Sequence, residues 1–380
     1  MTGPRVCVVG SGWRFTSGIS YYTCRLSGAL ADRATASAIL MRRLLPRMFY
    51  PGRARVGRPL ARLAYDDRVR VFDGVDWFWL PSIVRAIRWL RRERPEVVVF
   101  QWWTGTVVHS YRLLAAVARA AGARVVIEFH EVQDTGELRV PLARAYTDRA
   151  LAGLLRQAAG FIVHSGHDRD ALAAAYDLTG RPVTVVGHGP FDQHRAQRVA
   201  GADGVCRLLF FGTIRPYKGL EHLVAAFDRL TNAEVAGYSL TVVGETWEGW
   251  TAPLELIAAS RHRDRITLVN RYVSDDEVTD CFARADVVVL PYLRSSASGP
   301  LHIAMSNGLP VVVTPVGGLA EAVADYPGAL TVPPADVPAL TDALRAAGKL
   351  AGGVYADPHS WQPNVDAILA FAPTSTMAQA

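Results

Sequence analysis

Residues 285–323 read "ADVVVLPYLRSSASGPLHIAMSNGLPVVVTPVGGLAEAV". Twice in this stretch a β-branched run, "VVVLPY" and then "PVVVTP", gives way to small residues and a segment with helical spacing. A short run that is apolar on both faces suits a parallel sheet covered on both sides. A helix that starts where such a strand ends aims its first N–H groups and its positive end at one point, which suits an anion. Ser298, Gly299, Pro300 and Leu301 open the first of these helices, with Pro300 placed as a first-turn residue. Gly317, Gly318 and Glu321 open the second.

The alternation extends outward from here. Strand-like runs occur at "VCVVG" (6–10), "VVVF" (97–100), "RVVIEFH" (124–130), "GFIVHS" (160–165) and "VTVVGHG" (183–189). A polar stretch, "QHRAQRVAGADGVCR" (193–207), interrupts them, and "RLLFFG" (207–212), "SLTVVG" (239–244) and "RITLVN" (265–270) resume the pattern. With 380 residues the chain exceeds one ordinary core. Two Rossmann-like α/β domains follow, 1–198 and 206–356, with an amphipathic closing helix within 357–375 and ligand chemistry expected at the carboxyl ends of strands, between the halves. Ser274 and Glu277 have the spacing of a capping box.

The formal charge of +6 and pI near 9.3 are only mildly basic. They fit a phosphate-bearing ligand and do not by themselves indicate nucleic acid, which is not expected as a partner. Four scattered cysteines have neither metal nor redox spacing and are expected as reduced thiols of a cytoplasmic protein. The start of the chain lacks a signal-peptide core, and no uncharged apolar run is long enough to span a bilayer. The segment 41–71 packs many arginines among apolar residues and prolines. It reads as a surface loop or as a basic face for an anionic acceptor or a membrane surface.

The chain has 39 arginines and two lysines, Lys218 and Lys349. Lys218 lies in "LLFFGTIRPYKGLEHL" (208–223), a strand, a glycine- and proline-bearing turn, and a helix. Arg215 and Lys218, three apart, can meet one phosphate as a rigid fork and a mobile point charge. The earlier loop "GSGWRFTSGISYY" (10–22) lacks the third glycine and the later acidic residue of a dinucleotide fingerprint, so a nicotinamide enzyme is not expected. At other strand ends stand His130 and Glu131 in "IEFHEVQD" and Trp102 and Trp103 in "FQWWTG", one tryptophan expected in the core and the other as a platform for a sugar ring. His164, His188 and His194 are too dispersed in sequence to join His130 as metal ligands, and no metal is expected.

Taken together, the glycine loop near Gly12 and Gly18, "FHEVQD", "FFGTIRPYKGLEHL", "ADVVVLPY" and "SGPLHIAMSNGLPVVVTPVGGLAEAV" resemble the retaining glycosyltransferases of family 4, with a GT-B fold. The resemblance implies a C-terminal domain that binds a nucleoside-diphosphate sugar, and a closing helix that crosses back onto the N-terminal domain. It implies transfer of the sugar to an acceptor hydroxyl, without a cofactor. Lys218 matches the family's diphosphate-binding lysine and His130 its histidine near the donor sugar. The usual arginine falls on Thr213, and Arg215 supplies the charge instead. Arg271, Tyr272 and Val273 match the stretch that meets the base. Gly12, Gly212, Thr213, Gly244, Ser298, Gly299, Pro300, Leu301 and Glu321 complete the donor-binding candidates, and Gly18, Trp102, Trp103 and Glu131 are the acceptor-binding ones. The acceptor class, whether glycan, lipid-linked or natural-product, stays open. The family's paired glutamates fall on Ser295 and Ile303, as in relatives that carry an "SG" turn. That loss keeps two alternatives open: a non-catalytic sugar-nucleotide-binding partner and a nucleotide-sugar 2-epimerase.

Overall fold

A computed structural model describes residues 3–12, 18–44, 63–77, 79–132, 141–178, 180–199, 201, 204–247 and 249–373. The chain divides into two compact units, Met1–Gly189 with Ser360–Ala380, and Pro190–His359. Residues 190–198, placed with the N-terminal domain on sequence, pack with the second unit. The Ala196 N–H donates to the Asn307 side chain (3.0 Å), and Arg198 pairs with Asp286 (2.9 Å).

The first unit holds a parallel sheet of β1 (Arg5–Ser11), β2 (Thr35–Arg43), β3 (Arg70–Asp76), β4 (Val97–Trp102), β5 (Arg124–Phe129), β6 (Gly160–Val163) and β7 (Val183–Val185). Its strand order is β3-β2-β1-β4-β5-β6-β7. The β-branched runs fill the middle: every residue of β4 is buried, as parallel strands covered on both faces require. The expected closing helix is Gln362–Leu369, and it completes this unit by packing on the helix Gly18–Leu30. Glycines make room for it. A side chain on Gly189 would overlap the Trp361 ring, and one on Gly160 would overlap Phe371.

The second unit holds β8 (Cys206–Phe211), β9 (Tyr238–Val243), β10 (Ile266–Val269), β11 (Val287–Leu290), β12 (Val311–Val313) and β13 (Ala329–Thr331) in the order β10-β9-β8-β11-β12-β13. In both sheets the strand order reverses direction beside the first strand, at β1/β4 and at β8/β11. Crossovers leave such a switch point on opposite faces and open a space at the strands' carboxyl ends.

The capping box is present: the Ser274 hydroxyl accepts from the Glu277 N–H, and the Glu277 carboxylate accepts from the Ser274 N–H. Cys7, Cys24 and Cys206 are buried free thiols and Cys281 is half-buried. Among the described residues no helix is long and apolar enough to cross a membrane. Most of the arginine-rich segment, residues 45–62, lies outside the described residues; its two ends belong to β2 and β3.

Candidate active site

In the second unit the loops after β8, β9 and β11 carry the phosphate-binding candidates. Gly212 and Gly244 both have positive φ (+126° and +159°), and a side chain on Gly244 would strike the carbonyl oxygen of Gly212. The two loops therefore run at a separation that only glycine allows, joined by a bridge between Ile214 and Thr246. Beyond Gly212 the chain makes one tight turn, Pro216–Lys218, closed by Gly219 (φ +63°) against the Pro291 carbonyl. The Leu293 N–H donates to the Tyr217 carbonyl (2.8 Å) and fixes this turn on the β11 loop.

That turn buries Lys218, which is 9% exposed, with its ammonium 3.7 Å from the centroid of the Tyr292 ring. Arg215 lies over Tyr217 (5.2 Å) and Trp247 (5.6 Å), and Arg294 over Tyr217 (4.7 Å). An aromatic face attracts a cation without cancelling its charge. Tyr292 is fully buried, and burial pushes its hydroxyl above the usual tyrosine range, so it stays neutral. The Ser298 hydroxyl donates to the Tyr292 oxygen (3.3 Å) and accepts from the Leu301 N–H (3.4 Å), capping the helix Gly299–Ser306. Pro300 faces Gly212.

Lys218 and Ser298 thus meet at Tyr292, and Gly212 faces Pro300 beside them. Thr213 beside them is half-buried. Arg271, Tyr272 and Val273 follow β10, two strands away, with the exposed Arg271 paired to Glu277 (2.5 Å) and Val273 buried. Glu321 is exposed in the short helix Gly318–Ala322. Ser295 donates to the Ala297 carbonyl (2.8 Å), and Ile303 is buried at 7% exposure. A cavity of about 410 Å³ lies against β8–β10, lined by Thr241, Val243, Val269, Arg271, Val273 and Cys281 among others. It touches Arg271 and Val273 but neither Lys218 nor Ser298, so it lies apart from the phosphate-binding candidates.

In the first unit, His130 follows β5 and is 5% exposed. Its Nε2 lies 2.5 Å from the side-chain oxygen of Gln101, whose amide nitrogen donates to Glu128 (2.6 Å). Tyr22 donates to the other Glu128 oxygen (2.5 Å) and accepts from Asn364 of the closing helix (3.0 Å). Burial raises the Glu128 carboxyl to about 7 and lowers His164 to about 4. Burial, with His164 and His188 nearby, holds His130 well below the ordinary histidine range. The expectation that the histidines are dispersed is corrected for two of them: ring centroids are 4.7 Å apart for His130 and His164 and 5.2 Å for His164 and His188. Strand order brings them together, because β5 and β6 are adjacent and β7 leads into His188. His194 belongs to the second unit. Among the described residues no group of His, Cys, Asp and Glu has the arrangement of a metal site.

Gly12 ends the first strand region, its carbonyl accepting from Ser20 (3.1 Å), and Gly18 begins the next helix. Residues 13–17 of that loop, and 133–140 after "FHEV", lie outside the described residues. Trp102, expected with Trp103 to meet an acceptor, is 3% exposed and packs on Phe129 in the core. Trp103 is half-buried against Tyr111, and Glu131 is exposed.

Two family models cover most of the chain: "Glycosyl transferase 4-like domain" matches residues 17–189 and "Glycosyl transferases group 1" residues 205–348. The chain belongs to the group 1 glycosyltransferases. A D-inositol 3-phosphate glycosyltransferase of Pseudarthrobacter chlorophenolicus is 28% identical over 64% of this chain and 61% of its own. The matched region thus spans about three fifths of that relative. Among solved structures, sucrose-phosphate synthase of Thermosynechococcus elongatus superposes with a TM-score of 0.65 at 17% identity, covering 97% of this chain and 95% of its own. Anabaena HepE, solved in complex with UDP, gives 0.62 at 14% identity and the same coverages. The fold shared with these structures is GT-B, two Rossmann-like domains.

Sequence reasoning missed several residues around these candidates. Tyr217, Trp247, Tyr292 and Arg294 hold or join the cations Arg215 and Lys218, and no spacing marks them. Gln101 and Glu128 did leave a signal. Each is the one polar residue near the end of an otherwise apolar strand, and they are direct partners in the β4–β5 register.

Proposed function

We propose that this group 1 glycosyltransferase is a family 4 enzyme that moves a sugar from a nucleoside diphosphate to an acceptor hydroxyl with retention of configuration. The carrying observation is Lys218: a nearly dehydrated ammonium, held on the face of Tyr292 beside the capped start of the helix Gly299–Ser306. A cation preorganised in a low-dielectric setting stabilises charge that develops on a leaving phosphate. Arg215 is assigned to the same diphosphate and His130 to the donor sugar. The leaving phosphate oxygen takes the acceptor proton on the face it departs from, so no carboxylate nucleophile is needed. Ser298 and Gly299 contribute backbone N–H groups, with the Leu301 N–H holding the Ser298 cap beside them, and Arg271–Val273 lie at the base. Because side-chain cations carry the diphosphate charge, transfer is expected to continue in the presence of a chelator. UDP in the Anabaena HepE complex supports a nucleoside diphosphate as the donor's leaving group.

One observation favours a second reading, a sugar-nucleotide-binding partner without turnover: Ser295 and the buried Ile303 replace both family carboxylates. Purified protein incubated with a panel of nucleoside-diphosphate sugars, with and without cell extract, separates the two. Donor-dependent release of nucleoside diphosphate that needs Lys218 supports the enzyme. Tight binding with no release supports the partner.

A further inference from the structure

We propose that Glu128 is a positioning residue: through the side-chain amide of Gln101 it fixes the buried His130 ring with its proton on Nε2, leaving Nδ1 as a hydrogen-bond acceptor.

Donor direction fixes the tautomer. At pH 8, above the value of about 7 to which burial raises it, Glu128 is a carboxylate and only accepts, so the side-chain group of Gln101 that faces it at 2.6 Å must be its NH2. The amide oxygen then faces the other way, 2.5 Å from His130 Nε2. An amide oxygen also only accepts, so Nε2 must carry the proton. His130 is neutral near pH 7, and a neutral imidazole has one proton, so Nδ1 holds a lone pair. Glu128 therefore sets the tautomer two hydrogen bonds away. The second carboxylate oxygen is held by Tyr22, which is fully buried and itself receives the Asn364 amide. Every bond in the chain from His130 and from Asn364 points toward the one carboxylate.

A purely structural account fits less well. Glu128 is fully buried in a parallel strand where its neighbours Val125, Val126, Ile127 and Phe129 pack without polar atoms. A buried carboxylate costs stability that an apolar residue would not. His164 Nε2 lies 3.8 Å from the same carboxylate without a hydrogen-bond partner, while its Nδ1 donates to the Val186 carbonyl (3.1 Å). The carboxylate is thus directed at Gln101 and Tyr22, not at the nearest imidazole.

From the proposed function the inference takes only the use of Nδ1: a sugar hydroxyl that meets this ring donates to it. The tautomer stands or falls alone, so it is measured without substrate. Long-range proton–nitrogen spectra of the full-length, histidine-labelled protein at pH 8, with His130 assigned by its loss in His130→Gln, show which nitrogen is protonated. Wild type should show only the Nε2–H form. Gln101→Leu and Glu128→Leu should each give a mixture or the Nδ1–H form. Glu128→Gln should restore the wild-type pattern, because its amide oxygen can still accept from Gln101. An Nδ1–H population in wild type, or an unchanged tautomer in folded Gln101→Leu, overturns the proposal. Should a leucine variant not fold, the wild-type tautomer decides it alone. Where transfer is measurable, Gln101→Leu should lower kcat about tenfold with the donor KM little changed, a split that general loss of packing does not produce.

Discussion

The two units place polar residues at equivalent strand ends and treat charge in opposite ways. In the first, a carboxylate sits at the centre and accepts from Tyr22 and Gln101. Those groups are committed to one another. In the second, three cations lie over the faces of Tyr217, Tyr292 and Trp247. The first arrangement fixes geometry, and the second is the one the proposed function assigns to the donor's diphosphate. The same strand-end architecture thus carries a buried carboxylate in one domain and aromatic-bound cations in the other.

Lys218 tests the contrast most severely. Lys218→Ala should lower turnover by roughly 100-fold or more, with the unfolding midpoint little changed, as when one charge-stabilising donor is removed. Lys218→Arg should also be impaired, because a planar fork does not replace a point charge on the Tyr292 face. Full activity in both variants would remove the phosphate role.

Trp361 breaks the comparison from the other side. Its ring packs edge-on to Tyr22 (4.9 Å) and against Gly189, all within the first unit. Trp361→Ala should cost the first unit about 3 kcal/mol and leave the second unit's stability unchanged. Calorimetry with separate transitions should show one midpoint falling; a uniform shift of both would show that the units are not independent in stability.

The buried carboxylate predicts a smaller, pH-dependent difference. The folded Glu128 carboxyl, at about 7, lies above its ordinary range. The stability that its neutral form contributes is complete below that ordinary range and is lost as pH rises through about 7. Glutamine loses nothing there. Relative to wild type, Glu128→Gln should therefore gain stability between pH 5 and pH 8, by roughly 2 kcal/mol. His164, depressed to about 4, acts with the opposite sign: its contribution is present above the ordinary histidine range and is lost as pH falls toward 4. That contribution is common to both proteins and cancels in the difference. A difference that stays flat with pH would mean that Glu128 is not held out of water.

The least effect is expected at the ribose. Ile303 cannot accept a hydrogen bond from a ribose hydroxyl, so a 2′-deoxyribose donor should be used within about tenfold of the ribose form, or 1.4 kcal/mol. A larger penalty in kcat/KM would point to another acceptor, and Glu321→Ala would then be the variant to compare.

The sheets were legible where strands are continuous β-branched runs, as in β4, β5 and β11. β2 was not, because "TASAILMRR" is weak in β-branched residues and gains its place by burial between β1 and β3. Arg215, Lys218 and Ser298 stood out because glycine and proline spacing marks their loops. The rings that hold the cations come from three separate loops, and only the folded chain brings them together. The histidine cluster was hidden for the same reason: sequence separation says nothing about adjacency across parallel strands.

The packing of the closing helix also orders events during synthesis. The first sheet emerges early, but Trp361, Asn364 and Phe371, which fill the spaces at Gly189 and Gly160 and reach Tyr22, are translated after the whole second unit. Until they arrive, Tyr22 lacks its Asn364 donor and an apolar face of the first unit stays uncovered. The second unit, continuous in sequence, can finish folding while the first still waits for its last helix. Ribosome-bound chains halted before residue 360 should therefore protect the second unit from protease and leave the first susceptible.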